Sequence, residues 1–112
     1  KQVCFHLLNT MINSFNNWIV ANKNQVYSEV LGETVILNMT SGIYYGLNET
    51  GTFIWNLIQE PKTVEEILSA LLDEYEADIE ECKSDLLALI QDLADKGMIE
   101  IKDEASMQII TP

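Results

Sequence analysis

Ser41–Trp55, SGIYYGLNETGTFIW, runs from an apolar, tyrosine-rich segment through a polar turn into the aromatic start of a helix. Its strand part, Ile43–Leu47, contains no lysine or proline, residues that commonly blunt an exposed sheet edge. Two segments of similar character precede it, Val26–Val30 and Thr34–Asn38. Leu31-Gly32-Glu33 and Met39-Thr40-Ser41-Gly42 separate the three. Gaps this short join only antiparallel neighbours, because a parallel pair needs a long crossover. The segments therefore predict a three-stranded meander. So small a sheet has to bury one face against another layer, and the downstream sequence supplies it.

Asn48-Glu49-Thr50-Gly51-Thr52 reads as turn and cap, and Phe53–Ile58 as a short, nearly all-apolar helix ended by Gln59-Glu60-Pro61-Lys62. Thr63 opens a capping box with Glu66, in which the hydroxyl takes a free backbone N–H and the carboxylate reaches back. Val64, Ile67, Leu68, Leu71 and Tyr75 then keep one apolar face for about three turns. Asp78 with Glu81 repeats the cap, and a third helix runs to Lys96, where Gly97 is a left-handed stop. Met98–Ile101 predicts a short terminal strand. The expected class is α+β, a winged helix-turn-helix with a three-stranded antiparallel meander followed by three helices. The domain is expected over 20–102, after an extension over 1–19 and before a polar tail over 103–112. Phe5, Leu7, Leu8, Met11, Ile12, Phe15, Trp18 and Ile19 recur near helical spacing, although four asparagines weaken that pattern. Met11 is a candidate start residue, with Lys1–Thr10 an upstream extension.

The totals narrow the function. At 112 residues the chain holds one modest core, and 47% apolar content fits a folded domain. Six basic against eighteen acidic residues give a net charge of −12. That balance argues against nucleic acid and against an anionic membrane surface, since both are bound through clustered Lys and Arg. No apolar run approaches bilayer length. Cys4 and Cys82 lie far apart in unrelated surroundings, which points to a reducing, cytoplasmic setting rather than a disulfide framework.

No residue set predicts catalysis. His6 is the one histidine, and Cys4, His6 and Cys82 lack a fourth ligand and any zinc-site spacing. There is no glycine-rich phosphate loop, so no cofactor or metal is expected. Glu65-Glu66 and Glu80-Glu81 sit in first helical turns, where they complement the helix dipole.

What the sequence offers instead is a surface for a protein strand. In a meander the third strand is an edge, and Ile43, Tyr44, Tyr45, Gly46 and Leu47 should carry unpaired backbone groups, Tyr45 supplying one of the edge N–H donors. On the third helix Ile79, Cys82, Leu86, Leu87, Leu89, Ile90, Leu93 and Ala94 spread over roughly 160°, against about 100° for a helix covering one core. Either the helix is buried on two sides, or one margin is core and the other lines a groove near Asp85, Gln91 and Asp92. A bare edge beside an apolar groove has the parts for strand addition. The competing expectation is that Met98–Ile101 or the N-terminal segment covers the edge. A winged-helix DNA-binding regulator is a second reading, opposed by Glu80, Glu81, Asp85, Asp92 and Asp95 on the third helix; a structural subunit that dimerises through the edge is a third.

TVILNMTSGIYYGLNETGTFIWNLI, PKTVEEILSALLDEYEAD and DLLALIQDLADKGMIEI closely resemble the PqqD-like family, small proteins of pyrroloquinoline-quinone and lasso-peptide biosynthesis. The resemblance covers about Val20 to Ile101. It implies a non-catalytic winged-helix domain that binds the leader segment of a ribosomally made precursor peptide. The leader would be delivered to a separate modifying enzyme or leader protease. It implies strand addition to Ile43–Leu47 and packing against the third helix, with Cys82, Asp85, Leu86, Leu89, Ile90 and Leu93 as groove-liners. Residues 1–19 depart from the family pattern.

Overall fold

The computed structural model describes residues 17–102. It contains β1 (Trp18–Ala21), β2 (Gln25–Val30), β3 (Glu33–Asn38) and β4 (Tyr44–Leu47), then α1 (Glu49–Leu57), β5 (Lys62–Thr63), α2 (Val64–Glu74), α3 (Ile79–Asp95) and β6 (Ile99–Lys102). The expected meander is present as an antiparallel sheet in the order β2-β3-β4. A second three-stranded sheet, β5-β1-β6, was not foreseen. Trp18 and Ile19, grouped above with a helical stripe, lie instead in β1, paired with Lys102 and Ile101 of β6. The rest of that stripe falls outside the described residues. Ile19 is completely buried, so the packed body includes residues before Val20.

The β2–β3 hairpin turns on Leu31-Gly32, both with positive φ (55° and 83°). A two-residue turn of this kind matches the natural strand twist and favours Asn-Gly or Asp-Gly. A leucine there carries backbone strain on the order of 1 kcal/mol. The polar stretch after β4 belongs to α1 rather than to a loop. Asn48 is the N-cap and accepts a hydrogen bond from Gly51 N–H at 2.8 Å, so the helix starts at Glu49 and not at Phe53. The capping box of Thr63 and Glu66 is present in both directions, and Asp78 caps α3 by accepting from Glu81 N–H.

One core joins the layers. Ile36 and Leu47 from the meander, Ile54, Trp55 and Ile58 from the first helical layer, and Ile67, Leu86, Ile90 and Leu93 from α2 and α3 are all buried together. Removing apolar area from water stabilises by about 25 cal/mol per Å², and these side chains supply most of it. Polar ties set the angles between layers. Thr34 and Thr52 share a buried hydroxyl hydrogen bond of 2.9 Å between β3 and α1.

Asn38, at the end of β3, ties three elements. Its side-chain oxygen accepts from Thr40 and Ser41 N–H at 2.9 and 3.1 Å, shaping the loop into β4. Its amide donates to the carbonyls of Lys96 and Gly97 at 3.2 and 3.4 Å, holding the end of α3. Gly97 has φ 71°, and an added Cβ would stand 3.3 Å from that amide, so the stop and the tie require the same glycine. We expect Asn38→Ala to cost about 1–3 kcal/mol, since the part-buried bonds of the Asn38 side chain to both the loop and the end of α3 are lost together. Urea denaturation measures this, and a loss under about 1 kcal/mol would show that water replaces the ties.

Candidate functional site: an open strand edge beside a helical groove

The backbone of β4 has two sides. β4 pairs with β3 in the register Thr34 to Leu47, Val35 to Gly46, Ile36 to Tyr45 and Leu37 to Tyr44. Asn38 N–H also donates to Ile43 C=O at 2.9 Å, which fixes Asn38–Ile43 as a bonded pair. Bonded and non-bonded pairs alternate along an antiparallel ladder. Tyr45, Leu47 and the Ile43 carbonyl therefore face β3, the Ile43 N–H donating instead to Ser41 Oγ, and Tyr44 and Gly46 turn their backbone groups outward. Among the described residues no strand lies on that outer side. β6, expected as a candidate cover, pairs with β1. Tyr45 is therefore not an edge donor. Its N–H belongs to the internal ladder, and the edge donors are Tyr44 and Gly46.

Side chains alternate in the opposite sense. Leu47 is buried and Tyr45 half-buried toward the helices, whereas Tyr44 is 69% exposed on the other face. The Tyr45 hydroxyl donates to Asp92 Oδ2 on α3. Lys96 Nζ donates to Asp92 Oδ1 at 2.7 Å and stands 5.3 Å from the centroid of the Tyr45 ring. The three side chains tie β4 to the C-terminal half of α3. Burial and the neighbouring Asp92 carboxylate push the Tyr45 phenol up from 10.0 to about 12. Hydrogen bonds from Lys96 and Tyr45 hold the Asp92 carboxyl below its ordinary value, against its partial burial.

Beyond that tie the strand and helix diverge around a groove of about 530 Å³. Tyr45, Gly46 and Leu47 form one wall, and Cys82, Asp85, Leu86 and Leu89 form the other. Ile54 and Leu71 make an apolar floor, and Tyr75 closes one end. Tyr75 is held edge-on to Phe53 with centroids 5.7 Å apart. Gly51 lets the floor approach the strand, because a Cβ there would meet Leu47 Cδ2 at 3.1 Å. Burial and the Asp85 charge push the Cys82 thiol up, so it stays protonated and behaves as a small apolar wall rather than as a nucleophile.

The expected site residues divide three ways. Tyr45, Gly46, Leu47, Cys82, Asp85, Leu86 and Leu89 come together in the groove. Ile90 and Leu93 are core and absent from the lining, whereas Leu86, equally buried, belongs to both; Ile43 and Tyr44 lie outside the lining, Tyr44 presenting its backbone at the edge. The wide apolar arc of α3 thus has one margin in the core and the other in the groove. Asn48, Thr50, Gly51, Ile54, Leu71, Tyr75, Ala77 and Glu81 complete the lining and were not anticipated there. Tyr75 was legible as the last member of the α2 stripe; Ala77 and Glu81 carried no signal. Cys4 and His6 lie outside the described residues, within which no group of His, Cys, Asp or Glu is placed to hold a metal ion. No helix among them is long and apolar enough to cross a membrane.

Comparison with known proteins agrees with this geometry. No curated protein matches the chain. The structure described as TbiB1 in complex with the TbiA(beta) leader peptide superposes with a TM-score of 0.68 at 33% identity, covering 72% of this chain and 94% of its own. A lasso peptide synthetase B1 complexed with the leader peptide gives 0.65 at 23% identity, over 73% and 96% of the two chains, a likeness of fold. The family model for coenzyme PQQ synthesis protein D (PqqD) matches residues 33–99, from the start of β3 into β6. With more than half of its length matched, the chain belongs to the PqqD family.

Proposed function

We propose that this protein is a non-catalytic carrier of a precursor peptide. It takes the leader segment as an added strand along β4 and presents it to a separate modifying enzyme or leader protease in the cytoplasm. The observation that carries the reading is the pairing of the outward backbone groups of Tyr44 and Gly46 with an apolar groove on the same side of the sheet. An extended guest has a two-residue repeat. Its backbone can bond the edge while every second side chain enters the groove. The related TbiB1, with its leader peptide bound, supports the choice of guest.

The energetics require both halves. Two outward residues offer four hydrogen-bonding groups, each worth about 1 kcal/mol net. That sum falls short of the cost of fixing a flexible peptide, which exceeds about 4 kcal/mol. Apolar side chains entering the groove contribute about 1.5–3 kcal/mol each on full burial. The Tyr45–Asp92–Lys96 tie keeps the groove open to a fixed width, so the site is formed before the guest arrives.

The direct test is titration of the precursor leader encoded beside this chain's gene against the protein and two proline variants. Tyr44→Pro deletes an outward N–H while sparing the β3–β4 ladder. It is expected to weaken leader binding by roughly 5- to 30-fold, about 1–2 kcal/mol, with little change in melting temperature. Tyr45→Pro deletes an inward N–H together with the tie and is expected to unfold the sheet. Unchanged affinity in a folded Tyr44→Pro protein contradicts strand addition at this edge.

The tie should also respond to pH. The phenol of Tyr45 is raised, so its contribution is complete below the ordinary tyrosine value of 10.0 and is lost as pH climbs through about 12. Asp92 is lowered, so its contribution is complete above the ordinary carboxylate value of 3.8 and is lost as pH falls below it. Ultraviolet titration is expected to show a late tyrosine phase near pH 12, and Tyr45→Phe should abolish that phase. A late phase surviving in Tyr45→Phe would assign it elsewhere.

A further inference from the structure

The face of the meander turned away from the helices is apolar and open. Val26, Leu37 and Tyr44 stand in one row across the three strands, and Ser28, Val35 and Gly46 in the next. Val26, Val30 and Val35 are 53%, 64% and 48% exposed, and Leu31 at the hairpin tip is 98% exposed. An open concavity of about 450 Å³ lies among Ser28, Val30, Leu31, Glu33 and Val35. A contiguous apolar patch of this kind on a small protein marks an interaction surface.

The hairpin tip is a second and independent sign. Leu31 has φ 55° where asparagine or glycine fits without strain, and its side chain touches too little of the fold to compensate. A strained backbone carrying an exposed apolar side chain points to a contact outside the chain. Carboxylates surround the same end. Glu29 accepts from Asn56 at 3.4 Å, Glu33 follows the turn, and Glu49 Oε2 lies 3.8 Å from where a Cβ on Gly32 would stand. Lys62–Glu60, Lys96–Asp92 and Lys102–Glu100, ion pairs among the described residues, lie away from this end.

We infer that the tip and outer face of the β2–β3 hairpin dock the processing enzyme, through an apolar surface of that enzyme rimmed by lysine or arginine. The acidic border selects such a partner over a second copy, which would bring like carboxylates and two chains of net charge −12 together. The face is continuous with the peptide site, because Tyr44 offers its side chain to the outer face and its backbone to the open edge. An enzyme seated there stands beside the guest strand. The inference rests on the carrier reading for its partner and on separate residues for its surface.

The test uses the full chain, the precursor leader and the purified peptide-processing enzyme encoded beside this chain's gene. Leu31→Asn suits the left-handed turn and removes the apolar tip; Val30→Thr with Val35→Thr keeps strand-forming residues and makes the concavity polar. Both variants are expected to melt no lower than about the wild type and to hold the leader with unchanged affinity. Both should bind the enzyme at least tenfold more weakly, and wild-type binding should weaken with added salt. Enzyme binding unchanged in both variants overturns the inference. A wild-type dimer in sedimentation that Leu31→Asn dissolves also overturns it, assigning the face to a second copy. Failure of the wild type to hold any leader, with enzyme binding still lost in Leu31→Asn, overturns the carrier reading and supports the hairpin surface.

Discussion

The two-residue period of one short strand governs this molecule. Along β4 the inward backbone groups are used by β3 and the inward side chains by the helices. What remains is the backbone of Tyr44 and Gly46 on the open edge and the side chain of Tyr44 on the outer face. A one-residue slip of the register would exchange the two sets, burying Tyr44 and Gly46 and turning Tyr45 and Leu47 to water. The slip is opposed from three directions, by Leu47 in the core, by the Tyr45–Asp92–Lys96 tie, and by Asn38 shaping the loop that enters the strand. The order of the edge is thus a consequence of the core.

The acidic composition acquires a location in this frame. Asp92 is used within the fold, bonded to Tyr45 and Lys96. Asp78, Glu66 and their neighbours in first helical turns satisfy free N–H groups and the helix dipole. Asp85 and Glu81 line the groove, while Glu29, Glu33 and Glu49 border the hairpin. The residues of α3 that a DNA-reading helix would need to be cationic are carboxylates, which opposes a duplex as the partner of this winged-helix order.

Much of this arrangement was legible from residues. The hairpin spacings gave the meander, Thr63 with Glu66 gave the start of α2, Gly97 gave the end of α3, and the wide apolar arc of α3 gave a helix with two jobs. The misses have physical causes. Asn48-Glu49-Thr50-Gly51-Thr52 has turn composition, but a good N-cap at Asn48 recruits it into α1. Trp18–Ala21 and Lys62–Thr63 are too short to show a period, and the pairing of β1 with β5 on one side and β6 on the other depends on tertiary contacts. Tyr45 could not be assigned its backbone direction without the register, since alternation predicts two sides but not which residue faces which. Ile90 and Leu93 lie on the same apolar arc as Leu86 and Leu89, and only the packing of α3 separates core from groove.

Amide hydrogen exchange, with and without saturating precursor leader, addresses the central claim most directly. The amides of Tyr45 and Leu47 are expected to be slow in both states, and those of Tyr44 and Gly46 fast in the free protein and slow in the complex. Tyr44 and Gly46 amides that are already slow in the free protein, or remain fast once the leader is bound, would contradict it.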